Sequence, residues 1–166
     1  MLARKLKERV EALKLNLEGK TVLTEAASGP YVVTPVLAAL AGARVFAYSR
    51  TTRYGTVEEV FESTRKLAAE AGVEINLITE ITPEIVAEAD IITNSGHLRP
   101  LNREKLQYAK NGLVIPLMYE AWEWREADMD IQYIRERGFQ LGATNERHPD
   151  IDVFNYLGDM AVRQIF

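Results

Sequence analysis

The chain contains no cysteine. That excludes disulfides, thiolate metal ligands and thiol nucleophiles together, and it suits a cytoplasmic protein. Histidine is nearly as scarce, with two in 166 residues. No HxxxH or comparable ligand spacing accompanies them, so no metal site is expected. No apolar run reaches the roughly 18 residues of a membrane-span candidate, so no membrane partner is expected. A basic excess is missing too: Lys+Arg 20 against Asp+Glu 24 give a formal net charge of -4, which argues against nucleic acid as partner. The opening segment, Met1 to Glu8, reads as a charged helix and not a secretory signal.

What is present is an ordinary globular balance, 47% hydrophobic and 27% charged, in a length that fits a single domain over residues 1–166. Leu2, Leu6, Val10 and Leu13 make one apolar stripe, which predicts an amino-terminal helix within 1–18, packed on the rest. Strand-like runs follow at Thr21–Thr24, Val45–Tyr48, Ile75–Ile78, Asp90–Asn94, Leu113–Leu117 and Phe139–Gly142. Helical segments separate them: Pro35 to Ala41 with Thr34 as cap, Val57 to Ala71 closed by Gly72, a short one begun by Thr82-Pro83, Asn102–Tyr108, Asp128–Arg137 and Ile151–Ile165. Six strands alternating with helices predict an α/β fold: one doubly wound, mainly parallel six-stranded Rossmann-like sheet with helices on both faces. The expected order is 3-2-1-4-5-6, favoured over 2-1-3-4-5 by the strand count.

In such sheets ligands bind outside the carboxyl ends of the strands. The polar residues concentrate there. Glu25–Tyr31 follows the first strand, Ser49–Gly55 the second, Asn94–Pro100 the fourth, Met118–Arg125 the fifth and Thr144–Pro149 the sixth. The first loop is the expected phosphate cradle, with Ser28 and Gly29 at a helix entry. It lacks the GxGxxG pattern, and Glu25 adds negative charge where a phosphate wants none. The second loop lacks the acid by which NAD-specific domains hold the ribose hydroxyls; Ser49, Arg50, Thr51 and Arg53 stand there instead. Two guanidiniums beside hydroxyls suit a 2′-phosphate, hence NADP ahead of NAD. Asn94 and Ser95 complete the expected cofactor contacts, and His97, Glu120 and His148 are the candidate catalytic groups. Trp122 and Trp124 are expected to pack.

The layout resembles the cofactor domain of 2-hydroxyacid dehydrogenases and S-adenosylhomocysteine hydrolases. Leu17–Leu23 before the first repeats, Ala89–Asn94 as a fourth strand and Asn102–Ile115 as the next helix and strand carry the likeness. It implies a Rossmann-type NAD(P)-binding domain. The family's arginine after the fifth strand has no match, since Met118-Tyr119-Glu120 stands there, and the chain has no room for that family's substrate domain. Three functions follow as expectations: an NAD(P)-binding domain, one that could form part of an oxidoreductase; a small-molecule transferase such as an adenosylmethionine-dependent one, which Arg50 and Arg53 disfavour; or a non-enzymatic nucleotide-binding or assembly subunit. The expected partners are a small-molecule nucleotide and a second copy of the chain, or a partner that supplies a substrate domain. The amino-terminal helix and Trp122-Glu123-Trp124 offer apolar surface for such contacts.

Overall fold

The computed structural model describes residues 1–53, 55–118, 125–145, 148–150 and 153–165, with the backbone alone for 153–156, 159 and 165. Six strands, β1 (Thr21–Glu25), β2 (Arg44–Tyr48), β3 (Asn76–Ile78), β4 (Ile91–Ile92), β5 (Val114–Pro116) and β6 (Gln140–Gly142), form one sheet in the order 3-2-1-4-5-6. Every pairing is parallel. The helices are α1 (Leu2–Ala12), α2 (Val33–Leu40), α3 (Val57–Ala71), α4 (Pro83–Glu88), α5 (Arg103–Leu106), α6 (Ile131–Glu136) and α7 (Val153–Ile165). This is the doubly wound Rossmann-type α/β fold that the alternation of segments predicts.

The period-two geometry of strands divides the apolar residues between two faces. Leu23, Phe46, Ile92 and Ile115 share a core with Val86 of α4, Leu106 of α5 and Ile134 of α6. Their chain neighbours Val22, Val45 and Ala47 belong to a second core with Ala39 of α2 and Val60 and Phe61 of α3. The amino-terminal helix adds a further layer: Ala3 and Leu6 pack with Val36 of α2 and Leu67, Ala68 and Ala71 of α3. With both faces covered, the central strands are apolar at successive positions, as parallel sheets require.

Local chemistry sets the helix ends. Thr56 and Glu59 form a reciprocal capping box at the start of α3, and Gly72 closes it in the left-handed conformation at φ 74. Thr82, Asn102 and Asp130 each accept a backbone N–H from the third residue beyond. The amino-terminal helix stops at Ala12, short of the expected 18, where Leu13 caps it and Lys14 turns to φ 50. The helix expected from Pro35 starts earlier. A 3₁₀ turn over Gly29–Val32, with Pro30 in its first turn, runs directly into α2 at Val33, so Thr34 is helical and not a cap. The strand expected over Asp90–Asn94 pairs regularly only at Ile91–Ile92.

Asp90 anchors the start of this short strand. Its Oδ2 accepts the Thr21 N–H at 2.8 Å and its Oδ1 meets the Lys110 ammonium at 2.8 Å. The carboxylate thereby ties the start of β1 to the start of β4 and to the segment before β5. Burial pushes its pKa up, but the bonds from Lys110 and Thr21 outweigh that and hold it below the ordinary 3.8. Stability from this group is therefore present above pH 3.8 and is lost as pH falls through the lowered folded value. Asp90→Asn should cost about 1–3 kcal/mol at pH 7, the scale of a hydrogen bond to a charged group. In urea titrations the gap between wild type and variant should close as pH falls below about 4. A gap independent of pH would remove the carboxylate from this role.

Candidate ligand crevice

Parallel strands put all their carboxyl ends on one side, so the loops after β1, β2 and β4 emerge together. In the sheet β1 lies between β2 and β4, and the chain leaves it toward β2 and returns at β4 only after β3. That reversal opens a crevice between the β1 and β4 loops. A cavity of about 400 Å³ stands there, lined among others by Glu25, Ser28, Gly29, Tyr31, Thr52 and His97. The expected grouping of the Gly29, Arg50 and Ser95 loops at one end of the sheet is thus the observed one, with each loop contributing differently.

The first loop turns at Gly29, whose φ of 61 is the left-handed region that L side chains resist. A Cβ there would meet nothing within 4 Å, so the demand is on the backbone and not on space. Ser28 precedes it in extended conformation and makes no cap bond. Glu25, the last residue of β1, is 8% exposed. Its Oε2 accepts the His97 N–H at 2.9 Å, which joins the β1 loop to the β4 loop across the switch point.

The second loop is a pinned turn. Thr52 and Gly55 exchange both backbone hydrogen bonds, at 3.0 and 3.2 Å, so Arg53 lies at the tip of a closed ring. The Thr51 hydroxyl accepts the Val57 N–H at 3.4 Å and so fixes the turn to the start of α3. Ser49 is fully buried; its N–H bonds the Ile78 carbonyl, and its hydroxyl has no partner among the described residues. Arg50 is exposed.

In the fourth loop the expected contacts are already engaged. A buried line of hydroxyls runs from Thr24 to Thr93 at 2.9 Å and on to Ser95 at 2.8 Å. The Asn94 Oδ1 accepts the Met118 N–H at 2.5 Å, and its amide nitrogen lies 3.8 Å from the Met129 sulfur. Asn94 and Ser95 therefore build the loops and do not line the cavity. His97 does line it, and its Nδ1 is buried with no partner among the described residues. The His148 Nδ1 accepts the Asp150 N–H at 3.2 Å within its own loop. Glu120, Trp122 and Trp124 lie outside the described residues.

Two groups escape a reading by loops alone. Glu25 reads in sequence as an unwelcome charge; folded, it is a buried acceptor on the cavity wall. Lys105 sits on α5, where a lysine reads as helix surface. It is half-buried instead, and its ammonium donates to the Leu98 carbonyl. It borders a second groove, of about 420 Å³, with Ile81, Pro83, Pro100 and Tyr108. Burial pushes its pKa down, the nearby Arg50 guanidinium pushes it further, and Glu104 offsets part of this. The only sequence signal was Asn102, which starts a helix straight after the loop carrying His97 and so aims α5 at that loop.

No protein-family model matches the chain, and no curated protein matches it. Solved structures do. A dipicolinate synthase component from Bacillus halodurans superposes with a TM-score of 0.56 at 15% identity, over 98% of this chain and 52% of that one. Shikimate 5-dehydrogenase from Listeria monocytogenes, solved with shikimate and NAD, gives 0.55 at 15% identity, over 84% and 50%. Ornithine carbamoyltransferase from Gloeobacter violaceus gives 0.53 at 12%, over 82% and 51%. The chain spans about half the length of these proteins. They share the Rossmann-type fold with it while their names span a dehydrogenase and a carbamoyltransferase, so the fold does not choose the chemistry.

The lowered Lys105 pKa has a definite sign. The folded state disfavours the charged lysine, so it sheds its proton before the unfolded chain does, and the penalty is relieved as pH rises toward 10.5. Relative to Lys105→Met, wild-type stability should therefore rise between the lowered folded value and 10.5. Parallel urea-midpoint curves for the two proteins over that range would show that Lys105 is freely solvated.

Proposed function

We propose that this chain is a nucleotide-binding domain for NAD(P), with NADP preferred, and that it serves an oxidoreductase. The observation that carries the reading is the convergence of the Gly29, Thr52 and His97 loops on one crevice at the switch point, beside a turn that carries arginines where NAD-specific domains carry an acid. Arg50 and Arg53 are the proposed partners of the 2′-phosphate. The pinned turn lowers the entropy cost of holding their loop, and Lys105 adds a second positive charge near Arg50. The groove bordered by Ile81 and Pro100 offers an apolar bed of suitable size for a base.

The fit is uneven. Arginines at the β2 end suit NADP, whereas the Glu25 carboxylate at the β1 end does not suit a pyrophosphate. Bound NADP would supply hydride-transfer chemistry; the chain's own part would be to hold and orient it. His97, on the cavity wall, is the described residue best placed to exchange a proton there. Substrate binding would fall to further protein, in the same natural chain or a partner, because this chain spans only about half of the matched enzymes.

Calorimetric titration of wild type, Arg50→Ala and Arg53→Ala with both cofactors tests the reading. A charge-assisted bond to phosphate contributes roughly 1.5–3 kcal/mol, so either loss should weaken NADP about tenfold to a hundredfold. NAD lacks the phosphate and should bind nearly unchanged. Equal losses for both cofactors, or binding of neither by the wild type, would sink the assignment.

A further inference from the structure

We propose that the cavity at the end of β1 receives the free vicinal diol of a ribose, accepted by Glu25, and that the phosphates of the dinucleotide lie outside it. This rests on the nucleotide reading above. It departs from the usual expectation for a first βα loop, in which that position cradles pyrophosphate.

Half of a buried carboxylate is unfilled here. Glu25 is 8% exposed, and its Oε2 has the His97 N–H. Its Oε1 has no hydrogen-bond or ion-pair partner among the described residues, and it is not sealed in, because Glu25 lines the cavity. A carboxylate taken out of water with one hydrogen bond is costly unless its other lone pairs find donors. The rest of the lining is mostly small or apolar, with Ala27, Pro30 and Val60, and it includes no lysine or arginine among the described residues. A phosphate placed here would meet the Glu25 carboxylate directly, with Arg99, already paired to Asp128, as the one cation beside the lining among the described residues.

What the carboxylate lacks is donors and not a counter-ion. The point where a Gly96 Cβ would stand lies 3.5 Å from the Glu25 Oε2 and 3.9 Å from the Arg99 Nη2. Arg99 bonds Asp128 through its other nitrogen, Nη1, at 2.9 Å, and so turns Nη2 toward the same spot. With positive charge already near, a neutral donor pair suits the site better than a cation. Adjacent hydroxyls of a sugar are such a pair. Ser28, Thr52 and the unpartnered His97 Nδ1 add groups that can exchange hydrogen bonds with them. In NADP the adenosine ribose carries the 2′-phosphate assigned to Arg50 and Arg53. The free diol is then that of the nicotinamide ribose.

The test titrates wild type, Glu25→Gln and Glu25→Ala with NADP, adenosine 2′,5′-bisphosphate and inorganic pyrophosphate, after thermal melting has checked that the variants fold. Glutamine can keep the His97 bond only by presenting its NH₂ to the diol, so the charged acceptor is lost and a hydroxyl must turn to accept instead of donate. NADP should weaken about tenfold in both variants, while the bisphosphate, which lacks the second ribose, stays within about twofold. A comparison on wild type alone needs no variant: nicotinamide riboside should bind at least about tenfold tighter than nicotinamide. NADP or pyrophosphate binding tighter to Glu25→Gln would place phosphates against Glu25 and overturn the proposal. Equal binding of riboside and base would overturn it too. If NADP keeps its arginine-dependent preference while both Glu25 variants bind it normally, this inference alone falls. If wild type binds neither dinucleotide, the nucleotide reading falls and takes the inference with it.

Discussion

The pairing of β1 with β4 is the constraint on which the rest of the molecule depends. Only two residue pairs carry it as regular strand, Val22 with Ile91 and Leu23 with Ile92. Side chains reinforce it at both ends. Asp90 holds the Thr21 N–H at the amino end, and the Thr24 and Thr93 hydroxyls share a bond at the carboxyl end. Beyond the strand ends the Glu25 carboxylate continues the same seam by taking the His97 N–H. The seam joins the two halves of the sheet, and the crevice opens directly above it. Polar groups are tolerated in so buried a place because the carboxylates satisfy the Thr21 and His97 N–H groups and the two threonine hydroxyls satisfy each other.

This gives the crevice an unusual electrostatic division. The loop after β2, which brings Thr52 to the cavity, also carries Arg50 and Arg53, with Lys105 near Arg50. The β1 side of the crevice carries a buried carboxylate. A ligand that satisfies both must place negative charge toward the β2 loop and hydrogen-bond donors toward β1. A plain phosphate or a plain cation meets only one of these demands. A nucleotide with a phosphate at one end and sugar hydroxyls at the other meets both. On the proposed reading, the arginine turn and the Glu25 cavity would contact one ligand through different residues.

The fold was legible in the sequence wherever local chemistry and tertiary demand agree. Thr56, Glu59 and Gly72 state both ends of α3, and the structure honours them. The alternation of strand and helix, with six strands counted, favoured the observed order over 2-1-3-4-5. Legibility failed where a long-range partner decided the outcome. Asp90 reads as the first residue of a strand and its backbone does bond β1 and β5, but nothing local shows that its carboxylate answers to Thr21 and Lys110. Thr34-Pro35 looks like a helix start, yet Pro30 already begins a turn that feeds the helix. In the site, the loops were legible and the hydrogen-bond partners of their side chains were not. Asn94 and Ser95 carry the right chemistry in the right loop but spend it on Met118 and Thr93.

Glu25 and Lys105 show the opposite error, and the cause is general. Charge in a sequence is read by type, whereas a site uses charge by burial and neighbours. Glu25 counts against a phosphate cradle when read as a loop residue. As the closing residue of a buried central strand it cannot swing away into solvent, so its charge is fixed in the crevice. Lys105 counts as surface until the fourth loop folds over it and its ammonium takes the Leu98 carbonyl. In the folded chain neither is a loop residue: Glu25 closes β1 and Lys105 lies in the first turn of α5. The Rossmann-type pattern finds where ligands bind because strand ends are fixed by the sheet. What binds there is set by side chains that the sheet has immobilised, and these belong as much to the strands and helices as to the loops between them.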